Sequence, residues 1–103
     1  MRLVFDEQAS VDLESIFSWL AQDSQAIADA VIERLIGSAE LLTTFPLMGH
    51  AGRAVGTREW VVPRLPYVLV YQVDPIRDEI IIAAIFHEAR DRDAHPRRGK
   101  YAS

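Results

Sequence analysis

The side chains able to do chemistry fall mostly in the second half of this chain. Of the histidines His50, His87 and His95, His87 has the most suggestive setting, directly after the apolar run Ile80-Ile81-Ile82-Ala83-Ala84-Ile85-Phe86. An imidazole there can serve phosphodiester cleavage as general acid or base, activating a ribose 2′-hydroxyl or protonating the leaving oxygen. It can equally cap a sheet, and without a second acid–base group in evidence that role is the simpler one. Arg58, Arg64 and Arg90 lie at the ends of apolar segments. Strand ends can converge, and converging guanidinium groups grip phosphate or carboxylate. Taken singly, Arg58 and Arg90 read more simply as partners of Glu59, Glu88 or Asp91, in exposed pairs each worth below about 1 kcal/mol. Tyr67 and Tyr71 share one face of a strand and can stack on a base, or pack in a core with the hydroxyl at its rim. His87-Glu88 with Asp91 and His95 supplies metal-ligand residue types without a metal-ligand spacing, so neither metal nor cofactor is expected.

The elements that must position these groups follow from periodicity. Leu3-Val4-Phe5 is a short β-favouring run. Val11, Leu13, Ile16, Phe17 and Leu20 then recur at helical spacing, predicting a helix over 7–22. Asp23-Ser24 breaks the pattern and offers an N-cap to a second helix over 25–44, with Ile27, Ala28, Val31, Leu35, Ala39 and Leu42 as its stripe. Trp19 falls outside the first stripe, and an exposed aromatic there hints at a partner surface. Pro46 ends the second helix, and residues 46–57, with three of the five glycines, read as a long loop. The period then changes to that of strands: 60–62, 68–73 and 79–86, with Asp74-Pro75-Ile76-Arg77-Asp78 as a hairpin turn. The third run is apolar almost throughout, which predicts a central strand covered on both faces. Trp60, alternating with Val61, is expected on the outer sheet face. The fold class is α+β in the order β-α-α-β-β-β, a helical hairpin packed on a small, mostly antiparallel sheet.

Composition narrows the partners. A chain of 103 residues, half of them apolar, makes one domain with a real core. The absence of cysteine excludes disulfides and thiolate metal sites. With no apolar leader at the N-terminus and no run long enough to span a membrane, the cytoplasm is the expected location. The net charge is −4, unevenly spread: residues 1–48 carry eight acids and two arginines, a balance of −6, and residues 49–103 carry nine bases and seven acids, a balance of +2. Lys100 is the only lysine. A phosphate-tracking surface needs a strong basic excess, so sequence-specific DNA binding by this chain alone is not expected.

Four pieces stand in order along the second half: Phe45-Pro46-x-x-Gly49, Gly56-Thr57-Arg58-Glu59 with Val61-Val62-Pro63, Pro66-Tyr67-x-x-x-Tyr71, and His87-x-Ala89-Arg90-Asp91. At this spacing and behind a helical first half, the set resembles the RelE/ParE superfamily of bacterial toxins, in its ParE-like, plasmid-stabilisation branch, over about residues 3–92. The resemblance implies a toxin of a type II toxin–antitoxin module, with residues 1–92 as the toxin domain and 93–103 as a charged tail. ParE-like members act on DNA gyrase and are neutralised by a ParD-like antitoxin; the alternative is a RelE-like endoribonuclease that cleaves mRNA on the ribosome. A third reading is a folded member whose toxicity is lost. The acidic pI and the scarcity of lysine favour gyrase over ribosomal RNA, and binding over catalysis. On the ribonuclease reading Arg58, Arg64 and His87 are the candidate catalytic residues. On the gyrase reading the expected target contacts are His50, Arg53, Arg90, Arg92, Arg97 and Arg98. His50 stands where relatives commonly show arginine, so a contact there would depend on pH. Trp19, Trp60 and Tyr71 are the expected antitoxin contacts. The groove between hairpin and sheet is expected to take an amphipathic antitoxin helix, basic enough to complement the acidic first half.

Overall fold

The computed structural model describes residues 1–90. The elements are β1 (Arg2–Phe5), α1 (Glu7–Ala21), α2 (Gln25–Thr44), β2 (His50–Ala51), β3 (Arg58–Val61), β4 (Tyr67–Asp74) and β5 (Glu79–His87). Both helices begin where the sequence offers a cap. The Asp6 carboxylate accepts from the Glu7 N–H, and the Ser24 hydroxyl accepts from Ile27 N–H at 3.2 Å. Two short strand-like residues, His50 and Ala51, interrupt the segment expected to be wholly loop and pair with Glu59 and Arg58. Two residues are too few to show an alternating pattern.

The five strands form one sheet in the order β1-β5-β4-β3-β2, with β1 and β5 parallel and every other pair antiparallel. β5 is an interior strand, between β1 and β4, and both of its faces are covered, as its apolar run predicts. The α1–α2 hairpin covers one face, where Ile16, Leu35 and Leu42 meet Tyr67, Leu69, Tyr71, Ile80, Ile82 and Ile85. On the opposite face Ala54 packs with Val68, Val70, Ala83, Ala84 and Phe86. The 52–57 loop thus folds back across the outer face. It is held by Thr57, whose N–H and hydroxyl both donate to the Ala54 carbonyl, at 3.2 and 2.7 Å.

A bulge explains how Ile80, Ile82 and Ile85 all reach the helical side. Val70 faces Ala84 while Tyr71 faces Ile82, so Ala83 is an extra residue in β5. It reverses the strand's alternation, which strict period-two reading cannot anticipate.

β1 reaches along β5 only to Ile82. Beyond that point α1 takes over: the Asp12 carboxylate accepts the Ile85 N–H at 2.8 Å and is itself steadied by the Gln8 side-chain amide, also at 2.8 Å. At the other end of the pairing, Arg2 and the buried Glu79 form an ion pair. In the β4–β5 turn the Asp74 carboxylate accepts from the N–H groups of Ile76 and Arg77, at 3.1 and 3.0 Å. Among the described residues two other than glycine take positive φ, Asp78 at 57° and Arg64 at 66°. Aspartate visits this region readily; for arginine it costs about 1 kcal/mol.

Asp12→Ala leaves the Ile85 N–H without its acceptor and is expected to destabilise the protein by about 2 kcal/mol in urea unfolding, with Asp12→Asn, which keeps an acceptor, losing less. Equal stability of Asp12→Ala and the parent would show that the bond contributes nothing.

Candidate functional site

The turn after α2 is built from the inside. The Tyr71 hydroxyl donates to the Pro46 carbonyl at 2.8 Å and accepts the Gly49 N–H at 3.0 Å. Arg58, opposite Tyr71 in the β3–β4 ladder, donates from Nη2 to the carbonyls of Leu47 (3.1 Å) and Gly49. Gly49 is required by space: a Cβ would lie 2.6 Å from the Glu59 carbonyl oxygen and 2.8 Å from the Tyr71 hydroxyl. With the turn's carbonyls drawn inward, Phe45 and Leu47 face out while Met48 packs partly against the core. Phe45 is 55% and Leu47 69% exposed, and with Thr44, Pro46 and Met48 they line a shallow apolar groove. Sequence reading passed over this surface, although the unbroken apolar run Phe45-Pro46-Leu47-Met48 signals it.

This geometry revises several expected roles. Tyr71, expected as an antitoxin contact, is fully buried and belongs to the core, not to the surface open to a partner. Trp60 does not lie on the outer face. It pairs with Leu69, on the helical side, and packs half-buried against the main core, its Nε1–H without a partner. Trp19 is 54% exposed on α1, with the Arg90 guanidinium carbon 4.9 Å from its ring centroid.

The three candidate catalytic residues do not assemble. His87 faces Tyr67 across the β4–β5 ladder, and their rings meet edge to face at 5.4 Å. Arg64 lies in the adjacent β3–β4 turn, so it and His87 share one end of the sheet. Arg58 stands opposite Tyr71, four ladder positions from Tyr67, about 13 Å along the strand. His87 Nδ1 accepts the Arg90 N–H at 3.0 Å, which fits the capping role. Of the expected target contacts, His50 is exposed on the edge strand β2, and Arg53 is exposed in the loop, its backbone N–H donating to the buried Glu59 carboxylate at 3.1 Å. Arg90 is exposed at the Arg64 end; Arg92, Arg97 and Arg98, with the 93–103 tail, lie outside the described residues. Among the described residues no three His, Asp or Glu side chains are grouped to hold a metal ion.

A model of the family described as the ParE toxin of the type II toxin–antitoxin system, parDE, matches residues 3–92. The chain belongs to the ParE toxin family. A solved structure of the chromosomal ParDE system from P. aeruginosa superposes with a TM-score of 0.73, at 20% identity, over 84% of this chain and 95% of that one. That likeness concerns the fold: the helical hairpin on a mostly antiparallel sheet is the ParE-like architecture. The protein Y4kP of Sinorhizobium fredii, whose name marks it as a toxin candidate, is 30% identical over 61 residues; the match covers 59% of this chain and 64% of that protein's length.

In this ParE chain Tyr71→Phe strips the 46–49 turn of one donor and one acceptor. It is expected to cost about 2 kcal/mol in thermal or denaturant unfolding, with faster amide exchange at Gly49. Gly49→Ala should cost more, because its new methyl meets backbone. Unchanged exchange at Gly49 in Tyr71→Phe would show that the turn is held by other means.

Proposed function

We propose that this ParE-family toxin acts on DNA gyrase by binding, without catalysis of its own, and is neutralised in the cytoplasm by a cognate ParD-like antitoxin. The family assignment supplies the toxin class. The choice of binding over RNA cleavage is supported chiefly by the separation of Arg58 from His87, together with the use of the Arg58 guanidinium on two backbone carbonyls. General acid–base cleavage needs its groups within hydrogen-bond reach of one reacting centre. Charge points the same way, since a protein of net charge −4 is poorly matched to ribosomal RNA.

The antitoxin would lay a basic amphipathic segment on the helical half, where Glu7, Glu14, Asp29, Glu33 and Glu40 are exposed around the apolar Val11, Trp19, Ile27 and Leu41. No helix among the described residues is long and apolar enough to cross a membrane.

The purified, antitoxin-free protein is expected to make linear or nicked DNA accumulate in a supercoiling reaction, dependent on gyrase and ATP, and to lose that effect when antitoxin is added. Cleavage of mRNA on ribosomes with no effect on gyrase would overturn the assignment.

A further inference from the structure

The tip of the β3–β4 hairpin places an arginine in a conformation that arginine disfavours. Arg64, at φ 66°, stands between Pro63 and Leu65-Pro66. The backbone around it is pinned from every side. Val62 N–H donates to the Tyr67 carbonyl at 3.0 Å and Leu65 N–H to the Val62 carbonyl at 3.1 Å; Glu88 N–H, beyond β5, donates to the Pro66 carbonyl at 2.7 Å. From α2, Arg34 Nη2 donates to the Pro63 carbonyl at 2.7 Å. Yet the Arg64 side chain is exposed and has no hydrogen bond or ion pair with any described residue. Glycine or asparagine would fit this backbone with less strain. No contact within the described fold offsets the choice of arginine, and strained positions of this kind gather at ligand contacts.

We infer that Arg64 is a target-contact residue, presented on a rigid tip to a carboxylate group on the surface of the protein that the toxin attacks. A guanidinium fork matches a carboxylate with two parallel hydrogen bonds. A phosphate backbone is the poorer match, because binding it draws on many spread bases and this chain has a net charge of −4. An antitoxin segment basic enough for the acidic helical half is also a poor partner for an unpaired guanidinium. The inference rests on the chain being an active toxin, but not on gyrase being the target.

The test compares the parent with Arg64→Gly and Arg64→Asn, using the full chain. Both variants are expected to keep the parent's Tm or exceed it by up to about 5 °C, since they relieve strain. Both should capture antitoxin as the parent does. Growth arrest on expression should need on the order of tenfold more soluble protein, the loss expected when a good charged contact is removed. Arrest at the parent's dose by either variant would overturn the inference. Loss of antitoxin capture together with toxicity would make Arg64 an antitoxin contact and overturn its assignment to the target. Weaker retention of duplex DNA by purified Arg64→Gly would identify a phosphate and overturn the carboxylate. Failure of the parent itself to arrest growth would instead overturn the toxin reading beneath.

Discussion

The Tyr71 hydroxyl joins parts of the chain that share no secondary structure. It lies on the buried side of β4, accepts a hydrogen bond from the Gly49 N–H and donates one to the Pro46 carbonyl. Arg58 completes the arrangement from the neighbouring strand. Three sequence pieces that look unrelated by spacing, Phe45-Pro46-x-x-Gly49, Gly56-Thr57-Arg58-Glu59 and Pro66-Tyr67-x-x-x-Tyr71, therefore answer to one local demand. A turn leaving a helix has carbonyl groups to satisfy, and two strand side chains satisfy them from beneath. The cost of that solution is an outward display of Phe45 and Leu47.

The sheet divides labour along its strands. At the Tyr71 end the hydroxyl and the Arg58 guanidinium are turned inward, and the 44–48 groove outside them is apolar. At the Tyr67–His87 end aromatic contact and hydrogen bonds, one of them from Arg34, close the framework, while the Arg64 guanidinium stands outside it. Arg58 and Arg64 are separated by only six positions in sequence, yet one is spent on backbone carbonyls and the other has no partner among the described residues.

Much of the architecture was legible because it rests on period and punctuation. Both helices were readable to within about a residue from their apolar stripes, from Ser24 and from Pro46. The interior position of β5 followed from its unbroken apolar composition. What escaped depends on register. Alternation with Val61 points Trp60 outward, but its side is fixed by its partner Leu69, and no local pattern names a partner. Tyr71 was open to the same error, since a tyrosine at a rim and one sealed beneath a turn have the same sequence neighbours. The Ala83 bulge hides in an all-apolar run where a change of face leaves no trace in composition. Arg58 shows the limit most clearly: a guanidinium that grips a ligand and one that grips a turn are the same residue type at the same spacing.

Asp12 and Arg2 both reach β5, across 73 and 77 positions of sequence. β5, which joins β1 to the rest of the sheet, is also the last of the described strands to leave the ribosome. Until it does, β1 has no strand to pair with, and the helical hairpin has no finished sheet to lie on. Long-range closure of this kind is slow compared with helix formation. An interrupted translation product ending before Glu79 would lack the strand that ties β1 to β4, so the architecture itself withholds a finished sheet until β5 has been made.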